Sequence, residues 1–179
     1  MMCFSKTTNA VMIRHGLGYV MRSVGPDKEE TWLGDYDAAL THMQEALEVA
    51  QAAQHTLRIC EASLDMVYVY LAQEALEQAH DQLCEALNIV KDIGTPHFLA
   101  KMLAAAISLW QAQGEIKQAA IWAGLLIQHT QLLHPSLFDM AIFQQLETAL
   151  GPQRYREALE QGKALILENI LSEIMSGMN

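Results

Sequence analysis

The sequence predicts an all-α protein, an α-solenoid of about three helix pairs closed by a C-terminal helical cap. Three observations carry this expectation. Residue classes stay in register every 40 residues, and self-similarity at periods of about 20–50 residues marks stacked repeat architectures. Within each period the apolar residues recur at i, i+3, i+4 and i+7, the pattern of a helix with one buried face. Ala, Leu, Gln and Glu are abundant and there are only 4 Pro, a composition that favours helix throughout.

The repeat is read from three segments. Gly34-Asp35-Tyr36-Asp37-Ala38-Ala39, Glu74-Ala75-Leu76-Glu77-Gln78-Ala79 and Gly114-Glu115-Ile116-Lys117-Gln118-Ala119 align at a spacing of 40 residues. Ala39, Ala79 and Ala119 coincide, as do the large residues Tyr36, Leu76 and Ile116. Seven positions beyond the alanines stand Ala46, Ala86 and Leu126, followed by Leu47, Leu87 and Ile127. Upstream, Tyr70-Leu71-Ala72-Gln73 matches Trp110-Gln111-Ala112-Gln113. Small residues at fixed positions let two helices approach to an axial distance of about 8–10 Å.

The expected helices span about 7–23, 35–52, 55–72, 75–92, 96–112 and 115–131, and the tail adds about 136–150, 152–161 and 166–175. The second helix of unit one presents Tyr36, Ala39, Leu40, Met43, Ala46, Leu47 and Ala50 on one face. Unit two repeats this with Leu76, Ala79, Leu83, Ala86, Leu87 and Val90. Gly34 and Gly114 suit the tight turn between paired helices, where positive φ is needed. Glu74 occupies the same position, so its turn must differ or be strained. Gly94-Thr95-Pro96 reads as helix stop, N-cap and first helical residue. His134-Pro135-Ser136 reads likewise, with Asp139 as a capping partner, and Gly151-Pro152 ends one helix and begins the next. The acidic segment Gly25 to Trp32 lengthens the first inter-helix turn and reads as a solvated loop. Trp110 and Trp122 fall in the buried register. Trp32 either folds back over the array or anchors a partner. The chain is expected to form one domain over 1–179, with repeat units at about 7–53, 54–93 and 94–133 and a cap at about 134–176.

Composition excludes several classes. Lys and Arg number 11 against 21 Asp and Glu, a formal charge of −10, whereas phosphate backbones want a basic stripe; direct nucleic-acid binding is not expected. The 51% apolar content supports a core and excludes a disordered tail. No cationic segment followed by an apolar one marks a secretory signal. The uncharged stretch from Gln118 to Phe138 is too polar and too broken by Pro135 for a membrane span. Three Cys without regular spacing point to the reducing cytoplasm.

Chemistry-bearing groups are sparse. His80 and Cys84, four apart on one helix, have usable ligand spacing, but no second pair matches, so no metal and no cofactor is expected. Cys60 and Cys84 lie on the two helices of unit two and can approach each other. Their neighbours Glu61 and Glu85 are acidic, and a reactive thiol needs an electropositive setting. Asp35 and Asp37 suit capping and the helix dipole, and Glu157 with Glu160 reads as an exposed face. No nucleophile elbow or acid–base set is present, so an enzyme is not expected.

Tyr36, Ala39 and Ala46 after Gly34, preceded by Leu17-Gly18-Tyr19, resemble the tetratricopeptide repeat, although 40 residues exceed its usual 34. The tail, with Ala123-Gly124, Leu150-Gly151, Tyr155, Gly162 and Leu167-Glu168, resembles the closing segment of the repeat arrays in large bacterial ATPase-containing regulators, LuxR-type or related to the maltose-regulon activator. The resemblance implies a right-handed solenoid whose first helices line a concave face. Carried onto this chain, the groove positions are His15, Tyr19 and Arg22 in unit one, Glu61, Asp65 and Tyr68 in unit two, and Lys101, Ser108 and Gln111 in unit three. Asp65 has independent support: it lies mid-helix among Leu64, Met66 and Val67, where a charge is costly unless it faces water or a partner.

The resemblance thus implies a module that binds a protein or peptide on its concave face, or the arm of a bacterial transcription regulator that senses a small-molecule effector or a partner. Such regulators carry a phosphate-loop ATPase upstream, and many end in a DNA-binding helix-turn-helix; this sequence has neither. The chain is therefore expected to be the C-terminal remnant, or a separately expressed piece, of a longer regulator. A stop codon in frame just before Met1 would count against that. The abrupt first helix also suggests self-association.

Overall fold

A computed structural model describes residues 36–129 and 140–165, with the side chain of Met140 left aside. Among these residues there are seven α-helices and no strand: α1 Tyr36–Ala52, α2 Thr56–Ala72, α3 Leu76–Ile93, α4 Pro96–Ala112, α5 Ile116–His129, α6 Met140–Leu150 and α7 Pro152–Lys163. The all-α expectation holds, and the expected bounds from 52 to 115 and from 150 to 161 agree to within one or two residues; the expected bounds at 35, 131 and 136 lie outside the described residues. The expected helices over 7–23 and 166–175, the turn residue Gly34, the loop from Gly25 to Trp32 and the His134-Pro135-Ser136 stop lie outside the described residues, as do Asp35 and Asp139.

The 40-residue period sets the helix register. α1, α2 and α3 begin at Tyr36, Thr56 and Leu76, and α3, α4 and α5 repeat this at Leu76, Pro96 and Ile116. The turns repeat as well. After α2 the N–H groups of Gln73, Glu74 and Ala75 donate to the carbonyls of Val69, Leu71 and Tyr70 at 3.1, 3.2 and 2.9 Å. After α4 those of Gln113, Gly114 and Glu115 donate to Leu109, Gln111 and Trp110 at 3.0, 3.1 and 2.9 Å. This closure satisfies carbonyls that the helix end leaves open and needs a left-handed residue. Gly114 supplies it with φ +84°, and Glu74 adopts φ +59° in the equivalent place. Of the two outcomes open for Glu74, strain is the one found. The turns between units share the left-handed residue, Gly94 with φ +62° and Gln54, its equivalent, with φ +51°, but the Gln54 N–H donates to Gln51 and that of Gly94 to Val90.

Two compact units divide within α3, between Ala86 and Leu87. In the first, α1 packs on α2. Ala39 and Met43 of α1 meet Met66 and Val69 of α2, and Tyr36, Leu40, Leu47 and Tyr70 close over them. Full burial of a side chain such as Met43, Met66 or Val69 contributes about 1.5–3 kcal/mol, and the partly buried residues less. Ala46 departs from the expected buried face. It is exposed, whereas its equivalents Ala86 and Leu126 are buried. The buried stripe of α1 runs through Ala39, Met43 and Ala50, and Ala46 lies on its flank.

In the second unit α5 is central and packs against α4, α6 and α7. Residues Ala119 to Leu126 are buried without interruption, as a helix enclosed on every side must be. Its apolar character therefore belongs to a protein core; no described helix is long and apolar enough to cross a membrane. At the α5–α7 crossing the backbones touch. A Cβ on Gly124 would collide with the Leu159 carbonyl, and one on Gly162 with the Ile121 carbonyl. Gly151 (φ +81°) separates α6 from α7, and Pro152 opens α7. Thr95 is the N-cap of α4 and Pro96 opens the helix, as the sequence reads, with the exposed Thr95 side chain making no cap bond. One local expectation needs correction. Trp122 is core at 3% exposure, but Trp110 is only half-buried. Trp110 follows the buried Leu109 and leans on Trp122, ring centroids 6.3 Å apart.

Candidate functional site

The resemblance to the repeat family implies partner contacts in rows on the first helix of each pair. His15, Tyr19 and Arg22 lie outside the described residues. In the first unit, Glu61, Asp65 and Tyr68 stand at i, i+4 and i+7 of α2, one helical row. Glu61 and Tyr68 are half-buried, and Arg58 Nη1 donates to Glu61 Oε2 at 2.9 Å. Asp65 is only 9% exposed and, like Tyr68, is engaged by other groups. Of the two ways to tolerate its charge, the structure uses burial with partners rather than open water, which leaves Asp65 little surface to offer.

In the second unit, Lys101, Ser108 and Gln111 share a row of α4, and all three are half-buried. Ser108 Oγ donates to the Ala104 carbonyl at 3.0 Å, an ordinary way for a helical serine to satisfy its hydroxyl. Gln111 Nε2 donates to Gln145 Oε1 at 2.8 Å, tying α4 to α6. Gln111 Oε1 is closed off from solvent and has no hydrogen-bond partner, the one such side-chain atom among the described residues. Gln145 did not stand out in the sequence, because no periodic signal relates two amides 34 positions apart.

Asp37 sits in the first turn of α1, where a carboxylate suits the helix dipole. Its Oδ1 also accepts from Gln73 Nε2 at 2.8 Å, linking the start of α1 to the end of α2. The sequence foresaw the dipole role of Asp37 and missed this tie.

The reactive groups are quiet. Cys60 is buried, Cys84 half-buried, and neither forms a disulfide. Burial, then the carboxylates of Asp81 and Glu85, push the Cys84 thiol above its ordinary range, against forming the nucleophilic thiolate. His80 Nδ1 lies 3.4 Å from Asp81 Oδ1. Among the described residues no group of three or more His, Cys, Asp or Glu could hold a metal ion. Glu157 and Glu160 are exposed. Glu157 accepts from Gln153 Nε2 at 3.1 Å and Glu160 from Lys163 Nζ at 2.7 Å, surface ties worth at most about 1 kcal/mol. Burial, then the Glu147 carboxylate, raise the phenol of Tyr155.

No protein-family model, no curated protein and no solved structure matches the chain.

Proposed function

We propose that this protein is a non-catalytic helical-repeat module that binds a protein or peptide partner, with the polar row of α2 in the first unit and that of α4 in the second each a candidate contact surface in its own right. The supporting observation is the identical framing of those two rows. α2 and α4 have the same length, begin 40 residues apart and end in turns with the same hydrogen bonds. Each row is therefore held on a rigid helix before any partner arrives, which lowers the ordering cost of association. On α4, Lys101, Ser108 and Gln111 supply a cation, a hydroxyl and an amide. On α2, Tyr68 supplies an aromatic face with a polar tip, a residue type enriched where partners dock.

The test is a displayed peptide library panned on the purified chain, with enriched peptides titrated by calorimetry. A saturable peptide whose affinity falls about tenfold or more in Tyr68→Ala or Lys101→Ala, a loss of about 1.4 kcal/mol, supports the reading. Affinity unchanged in both variants, with their helical circular dichroism intact, overturns it. A second reading, the effector-sensing arm of a regulator, draws support from Gly124, Tyr155 and Gly162. These residues carry the resemblance to regulator arrays and are also the ones packed at α5 and α7. A thermal transition that rises saturably with a metabolite, in the absence of any peptide binding, favours that reading.

A further inference from the structure

We draw no further inference here: the strongest candidate, the exposed apolar strip of Ala46, Val49 and Ala53 at the end of α1 with Leu57 at the start of α2, carries nothing because nothing in the structure shows what covers it.

Discussion

Gly124 and Gly162 face each other's helices in a reciprocal way. Each stands against the carbonyl of the residue three positions before the other, Leu159 for Gly124 and Ile121 for Gly162. The obstacle on both sides is main chain, which cannot swing aside as a long side chain can. Gly124→Ala and Gly162→Ala are therefore each expected to cost about 2–3 kcal/mol, the upper part of the range for overpacking. Urea unfolding measures this as a lower midpoint at unchanged slope. The double variant should lose less than the sum, because one displacement of α7 relieves both clashes. A midpoint equal to that of the unsubstituted chain in either single variant would refute the close crossing.

Glu74 and Gln54 hold left-handed conformations in turns where the equivalent positions carry Gly114 and Gly94. A left-handed residue with a side chain costs about 1–2 kcal/mol, and glycine returns part of that as unfolded-chain entropy of about 0.5–1 kcal/mol. Glu74→Gly and Gln54→Gly should each stabilise by about 0.5–1 kcal/mol. Gly114→Ala should do the reverse by a similar amount, since the space around it is open and backbone strain alone opposes the change. Calorimetric midpoints that move the other way would mean that the side chains at 54 and 74 offset their own strain.

The amide pair of Gln111 and Gln145 predicts an asymmetry. Gln145→Leu leaves the part-buried Gln111 without its acceptor, and Gln111 Oε1 is already without a donor, so a loss of about 1–3 kcal/mol is expected. Gln111→Leu removes the orphaned oxygen together with the bond and should be close to neutral or mildly stabilising. Denaturant midpoints for the two variants check it, and equal losses would show that the orphan contributes nothing.

Two groups give stability a slope at alkaline pH. Burial, followed by Asp81 and Glu85, raises the thiol of Cys84 above its ordinary 9.0. Burial, followed by Glu147, raises the phenol of Tyr155 above its ordinary 10.0. In each case the folded chain keeps a proton that the unfolded chain releases. The stabilising contribution is whole below the unfolded pKa and is lost as pH rises through the folded one. Unfolding free energy should therefore decline first in the thiol range and then in the phenol range. Cys84→Ala should flatten the first decline and Tyr155→Phe the second. Profiles that superimpose on that of the unsubstituted chain would exclude these groups as the cause.

The helices were legible in the sequence because periodic burial writes itself into residue order. Ala79, Leu83, Ala86 and Ala119 are all buried, and their spacing alone finds the face. Features set by balance between elements were less visible. Gln54 gives no sign that it will take φ +51°; helix closure around it overrides a local preference of about 1–2 kcal/mol. Ala46 keeps the repeat's residue type and lies exposed, since type records what a position tolerates rather than what covers it. Periodicity finds the helices α2 and α4, and the rows on them come from the family resemblance, while Gln145 and the tie between Asp37 and Gln73 depend on tertiary neighbours that only the folded chain supplies.

The enclosure of α5 has a consequence for the order in which the chain is made. Its face at Gly124 meets α7 at Leu159 and Gly162, residues that leave the ribosome well after α4 and α5 are complete. In that interval a nascent chain shows an oily helix dressed by α4 and bare along the side α7 will cover. A message cut short within α6 would leave that side bare for good, and such a product should be captured by holdase chaperones or aggregate while the finished chain does neither.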